Sequence, residues 1–295
     1  KLGVSYMDFD RDYKNDYDAT HPSSSKYNKS ASTYHGQSVK LDWQHILNLH
    51  KTNTVTFGVD RKEENMKSNS RYGADPISYS GEKYISTTGV FFQDQVRLWD
   101  AWFTTAGVRV DDNSQFGTQV TYRFTTAYDL KKTGTTFKGS YGTGFKAPTM
   151  FQLYDPRYGV NSLRPETSSG WDVGVEQAIP AVKTVVGATY FYNDFSDLIV
   201  YTYNSAKYYD NIAKARTQGV ETFVTVKPLD CLTVKGSYTY TRAIDTNTGN
   251  DLPRRPKNKF SLNTNYSFLN KKGNLNVAVN YYGTRMDNNG GQKLK

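Results

Sequence analysis

Three groups of residues in this chain have types and spacings that could do chemistry. Gly142-Thr143-Gly144-Phe145-Lys146 is a glycine-rich run ending in lysine, the composition that cradles phosphate. Asp8, Asp10 and Asp12 occupy alternate positions, so an extended backbone puts all three carboxylates on one face. Hard oxygens at that spacing suit Ca²⁺, which takes about six to eight of them. The third group is four histidines, His21, His35, His45 and His50, beside a single cysteine, Cys231.

Each group also has a plainer explanation. A phosphate loop needs a helix directly after it, whose N-terminus meets the anion. Pro148 and the missing apolar helical period argue against one here. Three aligned carboxylates repel one another, and a hydrated strand face partnered by Arg11 and Lys14 accounts for them without a metal. His45 and His50 are five residues apart, on opposite faces of a strand, and cannot share an ion. No local motif supports a Ser–His–Asp set, nor does anything mark a hydrolase's acid–base pair. The expectation is a protein that is not an enzyme and requires no cofactor.

Composition narrows the class. The 295 residues carry a net charge of +9, but Lys and Arg are scattered and form no basic face for nucleic acid. Aromatic content of 15%, with 24 Tyr, is too high for a disordered chain. No apolar run approaches the ~18 residues of a helical membrane span. One cysteine excludes an internal disulfide. The opening KLGVSYMDFD lacks the apolar core of a signal peptide and reads as mid-strand, which predicts that the chain starts inside a longer protein.

What must position these residues is a set of strands. Leu232, Val234, Gly236, Tyr238 and Tyr240 alternate with Thr233, Lys235, Ser237, Thr239 and Thr241, and the same period of two recurs through Phe260–Phe268 and Asn274–Tyr281. Each segment therefore has one apolar and one polar face. About thirteen such strands of about 10 to 18 residues are expected, with no helix. Short turns at 50–53, 98–101, 129–134, 179–182, 228–231 and 270–273 alternate with mostly longer stretches at 13–30, 62–82, 111–117, 144–167, 194–207 and 243–253. Short turns on one side and long loops on the other match a transmembrane antiparallel up-and-down β-barrel. Trp43, Trp99, Trp102, Tyr190, Phe191 and Tyr192 lie near strand ends, where amphipathic rings favour the membrane boundary. A soluble β-sandwich or propeller also alternates, but explains neither the strand length nor the two-sided loops.

Specific runs then resemble the TonB-dependent outer-membrane receptor family. Tyr141-Gly142-Thr143-Gly144-Phe145-Lys146-Ala147-Pro148, Phe151-Gln152-Leu153-Tyr154, and Asn161 with Leu163-Arg164-Pro165-Glu166 carry the likeness. It continues in Tyr192-Asn193-Asp194, Asp197-Leu198-Ile199, Tyr209-Asp210-Asn211, Ala215–Glu221 and Arg254-Arg255-Pro256. Within the family, Asp111–Gly117, Ser196–Ile199 with Tyr208-Tyr209, and Tyr282–Arg285 are similar to the cobalamin receptor branch. The resemblance implies that 1–295 is one unit, a large part of a 22-stranded barrel without its plug domain, TonB box, first strands and last strands. It implies uptake of cobalamin, or alternatively a ferric siderophore or haem, energised through TonB; a passive porin-like barrel is a further alternative. Gly142 and Gly144 then become a strand end with a close turn, leading into a loop folded over the barrel mouth and returned by Pro165 and Glu166. Loop residues Asn15, Tyr154, Tyr158, Arg254 and Arg255 are the candidate ligand contacts, the two arginines equally suiting lipopolysaccharide phosphates outside. The family's Ca²⁺ sites lie in acidic outer loops, which keeps Asp8, Asp10 and Asp12 as metal candidates.

Overall fold

The computed structural model describes residues 1–15, 30–72, 79–155, 158–202, 208–270, 272–286 and 293–294. Strands follow one another through the whole chain: β1 (Leu2–Asn15), β2 (Ser30–His50), β3 (Asn53–Tyr72), β4 (Tyr79–Leu98), β5 (Trp102–Asn113), β6 (Gly117–Leu130) and β7 (Thr135–Lys146). After a five-residue helix α1 (Met150–Tyr154) come β8 (Glu166–Ile179), β9 (Thr184–Tyr201), β10 (Tyr209–Leu229), β11 (Leu232–Asp245), β12 (Asn258–Phe268) and β13 (Gly273–Tyr282). These thirteen form one antiparallel sheet in strict chain order, each strand paired with the one before and after it. A two-residue pair, β14 (Arg285–Met286) with β15 (Lys293–Leu294), stands apart.

The connections divide between two rims. One rim carries 51–52, 99–101, 131–134, 180–183, 230–231 and 269–272. The other carries 16–29, 73–78, 114–116, 147–165, 202–208 and 246–257. The expected asymmetry holds with three corrections, the first at 111–117, where β5 runs to Asn113 and β6 starts at Gly117, so that only 114–116 connect them. The stretches 62–82 and 194–207 are mostly strand: β3 runs to Tyr72, β4 starts at Tyr79 and β9 reaches Tyr201. Apolar alternation stops near Arg61 because above a bilayer both faces of a strand meet water, yet the backbone goes on pairing, through Lys67↔Glu82 to Ser70↔Tyr79. Strands reach 21 residues in β2 and β10, about 70 Å at ~3.3 Å per residue, twice what a bilayer core requires.

Register assigns the faces, since partners in an antiparallel ladder point the same way. One face carries rows such as Phe57–Phe92–Val108–Tyr122 and Tyr141–Trp171–Tyr192. The other carries Asp42–Asp60–Gly89–Asp111–Gln119. Contacts that skip strands occur on the polar face: Arg109 of β5 reaches Asp60 of β3, and Tyr34 of β2 reaches the segment after β7. The polar face is therefore the concave one and the apolar face the convex one. Asp94, on the apolar side near the short turns, is an exception, and Asn53 donates to its Oδ1 at 2.6 Å.

Three further expectations need correction. Phe191 faces inward, over Gly219, while Tyr190 and Tyr192 face outward. Gly142 and Gly144 make no turn; they lie within β7, opposite Gly170 and Ser168. A helix does follow them: Thr149 Oγ1 accepts the Gln152 amide while Gln152 Oε1 accepts the Thr149 amide, a capping box whose N-cap directly follows Pro148 and starts α1 at Met150.

Candidate functional site

The segment 147–165 turns inward over the concave face and builds a small dry centre there. Leu153, only 2% exposed, packs with Leu163 and with Ile85 of β4. Phe116, Met150, Tyr154, Val160, Ile199 and Tyr209 close around them. Residue 159 has to be glycine, because a Cβ there would lie 2.5 Å from the Asp155 carbonyl oxygen. The fold over the barrel mouth expected from sequence is thus real, and it is packed rather than draped.

Two sets of bonds fix the segment. At its start, the Tyr34 hydroxyl donates to Asp155 Oδ2 at 2.8 Å, and the Tyr34 and Phe151 rings meet edge to face at 5.7 Å. Tyr154 donates its hydroxyl to Gln115 Oε1 at 2.6 Å, and the Lys83 ammonium lies 5.3 Å from the centre of its ring. Burial pushes the Tyr154 phenol pKa up, so it remains a neutral donor at physiological pH. At its end, Asn211 acts as a peptide-like clasp: its amide nitrogen donates to the carbonyls of Arg164 (2.9 Å) and Asp197 (2.7 Å), and its Oδ1 accepts the Arg164 amide at 2.8 Å. Arg164 donates Nη2 to Asp197 Oδ1 at 2.7 Å. Glu166 accepts the Ile199 amide at 2.8 Å and the Lys146 ammonium at 3.0 Å.

The clasp gives the sequence signature a physical meaning. Three separate stretches, Leu163 to Glu166, Asp197 to Ile199, and Asn211, meet in one junction. Asp111–Gly117 is tied in as well: Asn113 Oδ1 accepts the amides of Gln115 and Phe116, shaping the tight connection from which Gln115 holds Tyr154 and Phe116 enters the dry centre.

Of the five candidate ligand contacts, the structure brings together Tyr154 and Tyr158. The Tyr158 amide donates to Asp155 Oδ1, and its ring stacks on Phe151 and meets Tyr208 edge-on at 4.9 Å. Tyr208 in turn stacks on Tyr201, which meets Tyr209 edge-on. Asn15 ends β1 and its side chain lies outside the described residues. Arg254 and Arg255 belong to connection 246–257 on the same rim. There Arg254 has a left-handed φ of 59° and donates its amide to the Met286 carbonyl, and Arg255 donates to the Arg254 carbonyl.

Among the described residues, no group of three or more His, Cys, Asp or Glu is gathered as a metal site. Asp8, Asp10 and Asp12 lie on the convex face above Leu2, Val4 and Tyr6, not toward the lumen. Asp8 and Asp10 are partnered by His35 of β2: its Nδ1 is 2.7 Å from Asp10 and its Nε2 3.6 Å from Asp8.

One cluster escaped sequence reasoning. On the concave wall, Arg109 donates to Asp60 Oδ2 at 2.7 Å and Oδ1 at 3.1 Å, and to Asp111 at 2.6–3.0 Å, with Lys40 3.6 Å from Asp60. The guanidinium crosses β4 only because residue 89 has no side chain; a Cβ there would lie 1.9 Å from Arg109 Nη2. The signal was present in the register Asp60–Gly89–Asp111, which three strands had to be aligned to reveal.

Comparison with known proteins agrees with this geometry. The family model "TonB dependent receptor-like, beta-barrel" matches residues 1–295. A mutant ferric enterobactin receptor, PfeA, from Pseudomonas aeruginosa in complex with enterobactin superposes with a TM-score of 0.76 at 18% identity, covering 99% of this chain and 50% of that one. The siderophore receptor PirA from Acinetobacter baumannii gives 0.70 at 18% identity (96% and 47%), and the copper transporter OprC 0.71 at 15% (90% and 47%). This chain spans about half the length of those solved relatives. Strand order, inverted faces and the family match agree: the chain belongs to the TonB-dependent receptor-like β-barrel family of the outer membrane.

Proposed function

We propose that this chain is the ligand-facing wall of an active outer-membrane transporter that takes up a scarce nutrient, cobalamin in the first place, with energy delivered through TonB. One observation carries this reading. Asp111–Gly117, one of the stretches similar to the cobalamin branch, is bonded and packed directly onto the segment 147–165 that crosses the mouth. A bulky ligand held by many hydrogen bonds suits a mouth built of Tyr154, Tyr158, Tyr201, Tyr208 and Tyr209, whose rings give area and whose hydroxyls give polarity. Nothing in this function is catalytic; binding, then release driven from the inner membrane, is the whole task.

Sheet edges support the larger architecture. In hydrocarbon each unpaired N–H or C=O costs several kcal/mol, and among the described residues β1 and β13 are each paired on one side only. Further strands would close a ring of about 22, around a plug that meets TonB. Asn15, Arg254 and Arg255 stand on the same rim as the mouth, and we assign them to its margin.

A second reading, a ferric siderophore, is favoured by the Lys83 ammonium beside Tyr154, an aromatic–cation pair suited to an anionic aromatic complex. Equilibrium binding of cyanocobalamin and of a ferric catecholate to the full-length protein separates the two. Cobalamin binding weakened by Tyr154→Ala supports the first reading. Siderophore binding alone transfers the assignment to the second, and binding of neither removes both.

A further inference from the structure

The convex face changes charge around the sheet at the level of its upper aromatic row. The row Tyr141–Trp171–Tyr192 continues by register into Gln218 and then Arg242 of β11. One step toward the long-loop rim lies the row Ser169–Asp194–Arg216–Ile244. Arg216 donates Nε to Asp194 at 2.9 Å, and its guanidinium lies 5.0 Å from the centre of the Tyr192 ring. Arg242 is exposed, and so is Lys214, two residues before Arg216 on β10. Three cations and one acid thus gather on neighbouring strands immediately above the apolar band. On the far flank the corresponding step above Tyr6 and Val39 is Asp8 with Gln37, then Asp10 with His35.

We propose that Lys214, Arg216 and Arg242 form a seat for the phosphate groups of an outer-leaflet glycolipid, whose acyl chains lie along the apolar rows below. The inference rests on the outer-membrane placement of the convex face. Tyr and Trp mark the depth at which hydrocarbon gives way to headgroups, and cations at that depth meet lipid phosphate before they meet bulk water. Arginine offers a planar fork that matches two phosphate oxygens, and Arg216 is already oriented by Asp194 and Tyr192. Asp194 takes up part of one charge, leaving Arg242 and Lys214 as the larger contribution. The acidic β1–β2 flank repels the same headgroup, so the seat is one-sided.

The test is native mass spectrometry of the full-length protein reconstituted with bis-phosphorylated lipid A, with the same lipid lacking both phosphates as the comparison arm. Retention of the phosphorylated lipid is expected to fall about fivefold for Arg242→Gln and on the order of a hundredfold when Lys214→Gln and Arg216→Gln are added. The dephosphorylated lipid, and a control Lys235→Gln on the concave face, leave retention unchanged. Equal retention by wild type and triple variant overturns the proposal, as does full displacement by millimolar inorganic phosphate, which assigns the cations to free anion. If the wild-type protein fails to insert into liposomes at all, the outer-membrane placement itself falls; insertion without lipid selectivity removes only the seat.

Discussion

Val59 and Asp60 are adjacent in the chain, yet Val59 is 38% exposed and Asp60 only 7%. That inversion repeats around the sheet. Val108, Val110, Val120, Tyr122 and Phe124 stand open on the convex side, while Asp60, Asp111, Asn113 and Ser68 are among the buried residues of the concave side. In a water-soluble sandwich the apolar rows would be the dry ones, pressed against a second layer. Here there is no second layer among the described residues, and the rows need a hydrocarbon solvent to be stable. The concave wall is instead a polar surface that satisfies itself, with Arg109 joining three strands. Seven hydrophobic residues are buried among those described, and Ile85, Leu153 and Leu163 of that set belong to the mouth segment and its seat. The dry core of this molecule is at its mouth, not in its middle.

The largest expected effect comes from the concave wall. Gly89→Val drives a side chain into the space of the Arg109 guanidinium and leaves Asp60 and Asp111 without their partner. The cost is on the order of 3 kcal/mol, the low end for breaking a buried pair because the guanidinium stays a third exposed. Urea unfolding of the reconstituted barrel measures it, and an unchanged midpoint contradicts the bridge. On the convex wall, Val108→Arg costs about 2–4 kcal/mol if that position lies near the bilayer midplane. Thr125→Lys, one strand away on the concave face, stays within about 0.5 kcal/mol. Comparable losses for both, in the same unfolding series, would erase the distinction between the walls.

Smaller effects concern the mouth. Asn211→Ala removes three hydrogen bonds at the clasp and loosens 147–165 by about 1–3 kcal/mol, read as faster amide exchange of Leu153 and Leu163 with the strands unchanged. Uniform exchange across the barrel would mean that Asn211 supports the sheet instead. Tyr154→Phe loses only the bond to Gln115, about 1 kcal/mol, and weakens ligand binding less than tenfold, whereas Tyr154→Ala also removes the ring that packs on Ile85 and Leu163.

Much of this was legible in the sequence because period two is a strong signal wherever the two faces meet different solvents. Strand number, chain-order pairing and the two rims follow from it. It failed where the solvents became alike. Glu63-Glu64-Asn65 in β3 and Ser80-Gly81-Glu82 in β4 read as loop, since strands rising into water carry no apolar face. The helix α1 was missed because five residues hold no period; its Thr149–Gln152 capping box was the available sign. Phe191 misled on two counts: it lies in the middle of β9 rather than at a strand end, and its ring covers Gly219 from inside. The Arg109 bridge and the Asn211 clasp join residues 49 and 47 positions apart, and only register brings such residues together.

The direct test is site-directed spin labelling along β6 of the full-length protein in liposomes, with Cys231→Ser and single cysteines at Val120, Thr121, Tyr122, Arg123 and Phe124. Collision with oxygen, which concentrates in hydrocarbon, should peak at 120, 122 and 124, and collision with a water-soluble nickel chelate at 121 and 123. Reversed phases, or no alternation at all, would contradict a lipid-facing convex wall and remove the transporter with it.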